Sequence, residues 1–514
     1  MASAEFAYRP MRRVIAEQAR RYGDKTYMYA IDQDKALSYD ALWRLGNRLA
    51  HFLADQGIKA NDRVLMLSEN SIEFIATFLG VQRYGATIAT ANVEMNRAHL
   101  AEIVGAIRPK LILVQEGIGL EPLCAGYPAA RLMPLGEWRD GGSTGFFGEL
   151  ERCSDADDIA EVCGPDDIAV IFYTSGTEAK PKGVLQTHAS VCANFDASAD
   201  CVGLAETDRI LDCRSYTWLS SQNMSLGGPL ATGATVYMAK KFSRSRYFDW
   251  VRDYQINIGI SVPTILNIFL SEPVAAHGAQ LPHLRFMMTS SAPMLPEQWQ
   301  RFENMYGIRV CQSYGCSEGG LMCSHRGNAR KIGTVGLPLK YQTVRVLDPR
   351  GGEAPPGEPG ELVVSGPQRS WGYLHADGRV EKLPDAGHHT GDLVIRDEDG
   401  HIRIVGRLKD LIIRGGVNIS PVEIDNILAR HPDVMEGAAV GVPNPIYGEE
   451  VVAFVVPRAG SGLSAEAIIA HCRQSLAPFK TPKQIFFVDE LPRNARGKLD
   501  RESLSSRWTR QHAA

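Results

Sequence analysis

None of the ten cysteines in the 514-residue sequence forms a Cys-x-x-Cys pair, and the spacing of Cys311, Cys316 and Cys323 fits no usual zinc pattern. Reduced, buried thiols are therefore expected. Net charge is nearly absent: −4 over this length argues against a general binder of nucleic acid or membrane surfaces. Long apolar runs are missing too. Residues 215–239 and 254–271 carry no charged side chain, but Pro, Asn and Gly interrupt them, so they read as buried core or pocket wall and not as membrane spans. The opening MASAEFAYRPMRR holds no apolar run of signal-peptide type and the closing RQHAA is not a peroxisomal address, so a cytoplasmic location is expected. There is no internal repeat or low-complexity segment.

What is present describes an ordinary soluble globular chain, with 44% hydrophobic and 22% charged residues, too long for one core and therefore of at least two domains. Ser38 is placed to cap a helix whose apolar residues Leu42, Leu45, Leu49, Phe52 and Leu53 recur at helical spacing up to Gly57. A strand at 63–67, a helix through Ile72 to Leu79 ending at Gly85, and apolar runs at 87–91 and 111–114 follow. This alternation predicts a layered α/β domain with mostly parallel sheets. Glycines and prolines from Gly351 to Gly360 mark a turn-rich region. Beyond GRLKDLIIRGG at 406–416 the pattern changes to a small α+β unit: a helix over about 420–430, strands at 437–442 and 451–456, and a helix capped by Ser464. The expected division is an N-terminal domain over 1–408, a hinge at Lys409 and Asp410, and a C-terminal domain over 411–514. From His471 onward nine Lys and Arg stand against four Asp and Glu, a bias that suits a polyanionic ligand or a merely solvated tail.

The stretch Tyr173–Val184, YTSGTEAKPKGV, is the most informative in the chain. Gly176 and Gly183 permit tight turns that bring backbone N–H groups against an anion; Thr174, Ser175 and Thr177 add hydroxyl donors, and Lys180 and Lys182 add charge. It follows the strand-like run Ile168–Tyr173, so it sits at a strand end, where ligands of α/β sheets gather. The P-loop of kinases and GTPases is excluded, because Lys182 is followed by Gly183 and not by Ser or Thr.

This loop closely resembles the phosphate loop of the adenylate-forming superfamily, which includes acyl-CoA synthetases, firefly-type luciferases and peptide-synthetase adenylation domains. Further blocks match in the same order across most of residues 38–501. TSSAPMLP at 289–296 resembles the adenine-lining segment, through Ser291, Ala292 and Pro293. QSYGCSEG at 312–319 resembles the family's YGxTE block, with Gln312 and Ser313 at its start. There the resemblance implies that Tyr314 stacks on adenine, Ser317 replaces the usual phosphate-contacting Thr, and Glu318 holds Mg2+; a carboxylate beside a triphosphate requires an intervening cation. HTGDL at 389–393 implies that Asp392 binds the ribose hydroxyls, and Arg407 matches an arginine that reaches ribose or phosphate. PRNARGKLDR at 492–501 places Lys498 on the family's catalytic lysine, whose ammonium would draw the substrate carboxylate and the α-phosphate together.

The resemblance implies ATP, Mg2+ and coenzyme A as partners of a small-molecule carboxylic acid, in a monomer or homodimer with no nucleic acid and no membrane span. An acyl adenylate forms first; the small, mobile domain then rotates about Asp410, withdraws Lys498 and presents Gly415 and Gly416 to the pantetheine channel. Three departures stand out. Glu178 and Ala179 replace a Thr and a Gly of the usual loop. Trp218 takes the place of a His common near the acyl pocket, which Ser221, Gln222, Asn223 and Met224 would also line. Gly315 stands where acetate-activating relatives carry Trp, so an acid larger than acetate is expected. Three readings compete: a carboxylate–CoA ligase, an adenylation enzyme loading an aryl or amino acid onto a carrier protein, and a non-catalytic acyl-nucleotide sensor. The free-standing two-domain chain with its Gly415–Gly416 loop favours the first.

Overall fold

The computed structural model describes residues 6–139, 141–173, 182–292, 294–326, 329–458, 460–493 and 498–512. The elements expected from periodicity form where their caps allow. Ser38 accepts a hydrogen bond from the Ala41 amide at 3.0 Å and starts the helix Tyr39–Asp55, while Gly57 turns the chain at φ +65°. Ser71 caps Ile72–Tyr84 in the same way, and Gly85 ends it at φ +99°. These two helices bury Leu42, Leu49, Phe74 and Phe78 against each other, each such side chain contributing roughly 1.5–3 kcal/mol.

Two large sheets dominate. In the nine-stranded sheet, parallel pairings run through Val310–Cys316, Phe286–Thr289, Ile258–Ser261, Arg209–Asp212, Thr235–Met238 and Thr26–Ala30, with antiparallel strands at both edges. In the eight-stranded sheet, Ile168–Tyr173 lies parallel to Thr87–Thr90 and antiparallel to Gly183–Thr187, whose other neighbour is Gly372–Leu374. The buried parallel strands read as continuous apolar runs, as sheets covered on both faces require. Where the sequence showed only turns around 351–360, the structure has a third sheet. Thr343–Leu347, Pro359–Ser365, His388–Arg396 and Ile402–Arg407 pair antiparallel, and the turns connect strands whose apolar residues are interrupted by polar ones.

The fold is thus a large α/β part with mixed, largely parallel sheets, followed by a smaller C-terminal domain. From Ile412 onward a separate five-stranded sheet is built around Val434–Asn444 and Gly448–Pro457, with its own core of Ile424, Leu428, Val451, Val455 and Ile468. Ser464 accepts from the Ala467 amide at 3.2 Å and caps Ala465–Arg473. No helix among the described residues is long and apolar enough to cross a membrane.

Candidate active site

The strand Val310–Cys316 turns at Ser317–Gly319 and returns as Gly320–Ser324, so its hairpin carries Gln312, Ser313, Tyr314, Gly315, Ser317 and Glu318 within one turn of chain. Tyr314 and Asp392, 78 residues apart, meet here: the phenol donates to Asp392 Oδ2. Arg407, paired with Asp392 across two antiparallel strands, donates from Nε to Oδ1 at 2.7 Å. Burial and the Asp392 charge push the Tyr314 phenol well above its ordinary pKa, so it remains a donor. Burial opposes the charge of Arg407, but the carboxylates of Asp392 and Asp410 outweigh it and hold the guanidinium charged. Thr390 Oγ1 accepts from the Asp392 amide at 3.1 Å and donates to the Leu362 carbonyl at 2.8 Å, fixing the backbone beneath the carboxylate. Each carboxylate oxygen keeps a further lone pair, so a vicinal diol fits beside the tyrosine and arginine.

The segment around residues 290–292, expected to line the adenine, is held from two sides. Gln312 donates from Nε2 to the Ala292 carbonyl at 3.0 Å, and Arg214 reaches Ser290 Oγ at 3.2 Å. Between them Ser291 adopts φ +74°, a left-handed conformation that costs a non-glycine residue on the order of 1 kcal/mol and is characteristic of ligand sites. His325 braces Gln312: its Nδ1 accepts from the Gln312 amide at 3.0 Å, and its Nε2 faces Thr334 Oγ1 at 2.9 Å. Burial pushes the His325 pKa down to about 4, which keeps Nδ1 available as an acceptor.

Glu318 projects from the hairpin turn, its Oε1 accepting from Tyr373 at 2.7 Å, and the Lys182 ammonium lies 5.8 Å from the Tyr373 ring centroid. Tyr373 sits on a strand paired with Val184, so the exit of the phosphate loop and the acid share one wall. One carboxylate oxygen is left to a cation, and a hard, oxygen-seeking ion such as Mg2+ suits it. Ser317 offers its carbonyl to Ser370 Oγ at 2.6 Å. Thr174, Ser175, Gly176, Thr177, Glu178, Ala179, Lys180 and Pro293 lie outside the described residues.

The acyl-pocket candidates begin at half-buried Trp218, whose carbonyl accepts from the Ser221 and Gln222 amides at 3.1 Å and so starts a helical turn. Gln222–Gly227 then widens into a π-helix, a winding frequent at functional sites. Gln222 is committed to the Tyr216 carbonyl at 3.0 Å, whereas Ser221 Oγ and Asn223 Nδ2 are buried without a hydrogen-bond partner among the described residues. Ser313 lies 3.8 Å from the Met224 sulfur. A Cβ on Gly315 would come 2.4 Å from the Gly320 carbonyl oxygen, so the hairpin's own backbone demands glycine there, a reason independent of the acid.

In the small domain, Gly415 and Gly416 form a two-residue hairpin loop between Ile412–Arg414 and Val417–Ile419, at φ +58° and +81° as a type I′ turn requires. Asp410 lies in a single 3-10 turn, Leu408–Asp410, between the last strand of the third sheet and the first of the C-terminal sheet. Lys498 is exposed beside the bridge between Arg493 and Leu499, on the small domain and not on the hairpin that carries Tyr314 and Glu318.

Sequence reasoning missed Arg214, Asp212, His325 and Tyr373. Arg214 is wholly buried and holds Asp212 through Nε at 3.0 Å and Nη2 at 2.8 Å; the one available signal was a charged pair at the edge of the charge-free stretch. His325 and Tyr373 carry no local signal.

The sequence profile of the AMP-binding enzyme family matches residues 15–374, and that of the AMP-binding enzyme C-terminal domain matches 423–498. A sulfoacetate–CoA ligase of Cupriavidus necator is 33% identical over 510 residues, covering 96% of each chain. An oxalate–CoA ligase of Arabidopsis thaliana is 32% identical over 482 residues, covering 91% of this chain and 92% of its own. ATP-bound MatB from Rhodopseudomonas palustris superposes with a TM-score of 0.86 at 27% identity, over 97% of this chain and 99% of that one. The chain belongs to the AMP-binding, adenylate-forming enzyme family.

Proposed function

We infer that this protein is an ATP-dependent carboxylate–CoA ligase, which joins a carboxylic acid to coenzyme A through an acyl adenylate and releases pyrophosphate and AMP. The observation that carries the reading is the meeting of Tyr314, Asp392 and Arg407 beside the turn that carries Glu318, since four residues from three separate motifs are brought together. The CoA-ligase activity of the two curated relatives, matched over more than nine-tenths of this chain, supports it.

In this reading Asp392 accepts from both ribose hydroxyls and Tyr314 lies along the base. Ser291, Ala292 and Pro293 line the adenine, with Gln312 and Ser313 beneath it. Thr174, Ser175, Gly176, Thr177 and Lys182 grip the phosphates together with Ser317. Glu318 would hold a Mg2+ ion, which supplies positive charge to the phosphates when bound. Lys498 places its ammonium between the acid's carboxylate and the α-phosphate, so that two anions approach without net repulsion. Carboxylate oxygen then bonds to the α-phosphorus and the bond to pyrophosphate breaks. Rotation about the Lys409–Asp410 hinge, between domains 1–408 and 411–514, exchanges Lys498 for the Gly415–Gly416 loop. The open surroundings of Gly416, where a Cβ would meet nothing within 4 Å, support a narrow thiol-bearing chain passing against bare backbone. Trp218, Ser221, Gln222 and Gly315 border the acid.

The test is ATP–pyrophosphate exchange across aliphatic, dicarboxylic, sulfonated and aromatic acids, followed by AMP release with and without CoA. Exchange with one acid class, and AMP release that requires both that acid and CoA, is the expected result. Release that requires a carrier protein in place of CoA, or no exchange with any acid, overturns it.

A further inference from the structure

We propose that Cys316, Glu318 and His388 form a binding site for a thiophilic divalent cation of the zinc class, and that filling it takes Glu318 away from the nucleotide and stops turnover. The thiol sulfur, a carboxylate oxygen and an imidazole nitrogen of these three residues all lie within 4.8 Å of one another. Donors bonded to zinc at 2.0–2.3 Å and tetrahedral angles stand roughly 3.5 Å apart, so small side-chain rotations complete the set. The three come from two sheets, Cys316 and Glu318 from the hairpin and His388 from the start of His388–Arg396.

The surroundings match what such donors need. The Gly319 amide donates to Cys316 Sγ at 3.1 Å, as backbone amides do to metal-bound thiolates. Tyr373 donates to Glu318 Oε1 at 2.7 Å, which orients the carboxylate and leaves its other oxygen for a metal. Arg369, a cation facing His388, gives its Nη2 to the Pro384 carbonyl at 2.5 Å. All three ligands are partly exposed, so water can supply a fourth position. A second cluster, Asp397, Asp399 and His401, is a poorer candidate, because the Lys331 ammonium already lies 2.5 Å from Asp397 and 3.4 Å from Asp399.

Donor chemistry separates this ion from magnesium. A sulfur, a nitrogen and an oxygen favour Zn2+ and Co2+, whereas Mg2+ uses the Glu318 oxygen and ignores the other two. The two ions therefore compete for one carboxylate, and the zinc-class ion binds with release of the thiol proton to solvent. Binding rests on the three donors alone; its effect on turnover rests on the role given to Glu318 above.

The full chain, stripped of metal by a chelator, is titrated with Co2+ and followed by absorbance. One equivalent should bind with a thiolate-to-cobalt charge-transfer band that Zn2+ abolishes, and Cys316→Ser and His388→Gln should each weaken binding at least about tenfold. Either variant serves if the other misfolds, as judged by circular dichroism. No band, or a band unchanged in both variants, overturns the site. Zn2+ should then inhibit ATP–pyrophosphate exchange of the native chain at about a tenth of the concentration that His388→Gln requires; equal inhibition of the two overturns the competition. Absence of exchange with every acid would refute the ligase reading while the cobalt band still decides the site.

Discussion

In the hairpin that runs from Val310 to Ser324, a Cβ on Gly315 would lie 2.4 Å from a carbonyl oxygen; in the hairpin from Ile412 to Ile419, a Cβ on Gly416 would touch nothing within 4 Å. Both glycines sit in blocks that the sequence singles out, and they are required for different reasons. The first is held by packing. Its hairpin is flanked by Gln342 and Asn194, whose side-chain amides satisfy the Gly319 carbonyl and the Leu321 amide, while Asn194 also donates to the Gln368 carbonyl; and it carries Tyr314 to Asp392. The second is held by backbone conformation alone, with exposed Ile413, Val417, Ile446 and Tyr447 around it. A surface that fixes a nucleotide has to be rigid before the ligand arrives, because misplacement of reacting groups is costly. In the proposed mechanism the second surface is carried to its substrate by domain rotation and has to be open, and the empty surroundings of Gly416 meet this demand. The Arg430–Glu297 ion pair, 2.8 Å long between exposed Arg430 and half-buried Glu297, is one of the small domain's contacts with the large part.

The strongest test of this contrast is Lys498, which the proposed rotation would move with the small domain. Lys498→Ala should slow adenylate formation by on the order of 10²- to 10³-fold, while thioester formation from supplied acyl adenylate and CoA proceeds; Asp410→Pro should do the opposite. Equal loss of both half-reactions in the lysine variant, measured by exchange and by thioester release, would remove the division of labour. On the rigid side, Asp392→Asn withdraws the charged partner of Arg407 and should raise KM for ATP by about ten- to a hundredfold, roughly 1.4–2.7 kcal/mol; an unchanged KM would place the ribose elsewhere.

The glycines themselves give smaller, opposed effects. Gly315→Ala should lower stability by about 1–3 kcal/mol through overpacking, visible in urea unfolding. Gly416→Ala should cost about 1 kcal/mol through its positive φ and fall mainly on the CoA-dependent step. Identical unfolding curves for the two variants would contradict the comparison. The most gradual effect is that of pH. Burial pushes the pKa values of His188 and His325, both in the large part, down from 6.5 to about 4. Above 6.5 the folded and unfolded states bind equal protons at these groups; as pH falls from 6.5 towards 4 only the unfolded state gains them, so stability is lost in that window. At pH 5.5 each should cost about 1 kcal/mol, and His325→Gln should reduce the slope of stability against pH.

Much of the architecture was legible because local signals agreed with it. Ser38, Gly57, Gly85 and Ser464 act as caps and stops where expected, and the apolar runs at 63–67, 111–114 and 168–173 are strands with those same limits. The antiparallel sheet of residues 343–407 was not, because its strands mix buried and exposed residues and stand between turn-rich segments. Within the candidate site, Tyr314, Glu318, Asp392 and Arg407 were legible as motifs. Their mutual geometry was not, and His325, Tyr373 and Arg214 carried no motif at all, since a brace needs only to fit its neighbour.

The sequence by itself determined the family, the elements with strong caps or apolar periods, and the chemical kinds at the site, because caps, apolar periods and short motifs act within a few residues of chain. Only the tertiary structure decided that Tyr314 and Arg407 share one carboxylate, that Cys316 and His388 flank Glu318, and that Gly315 has no room where Gly416 has plenty. The physical reason is distance along the chain. Tyr314 with Asp392, and Cys316 with His388, join separate sheets, and which side chains meet there depends on strand register and on how the sheets pack, quantities that the local sequence does not encode.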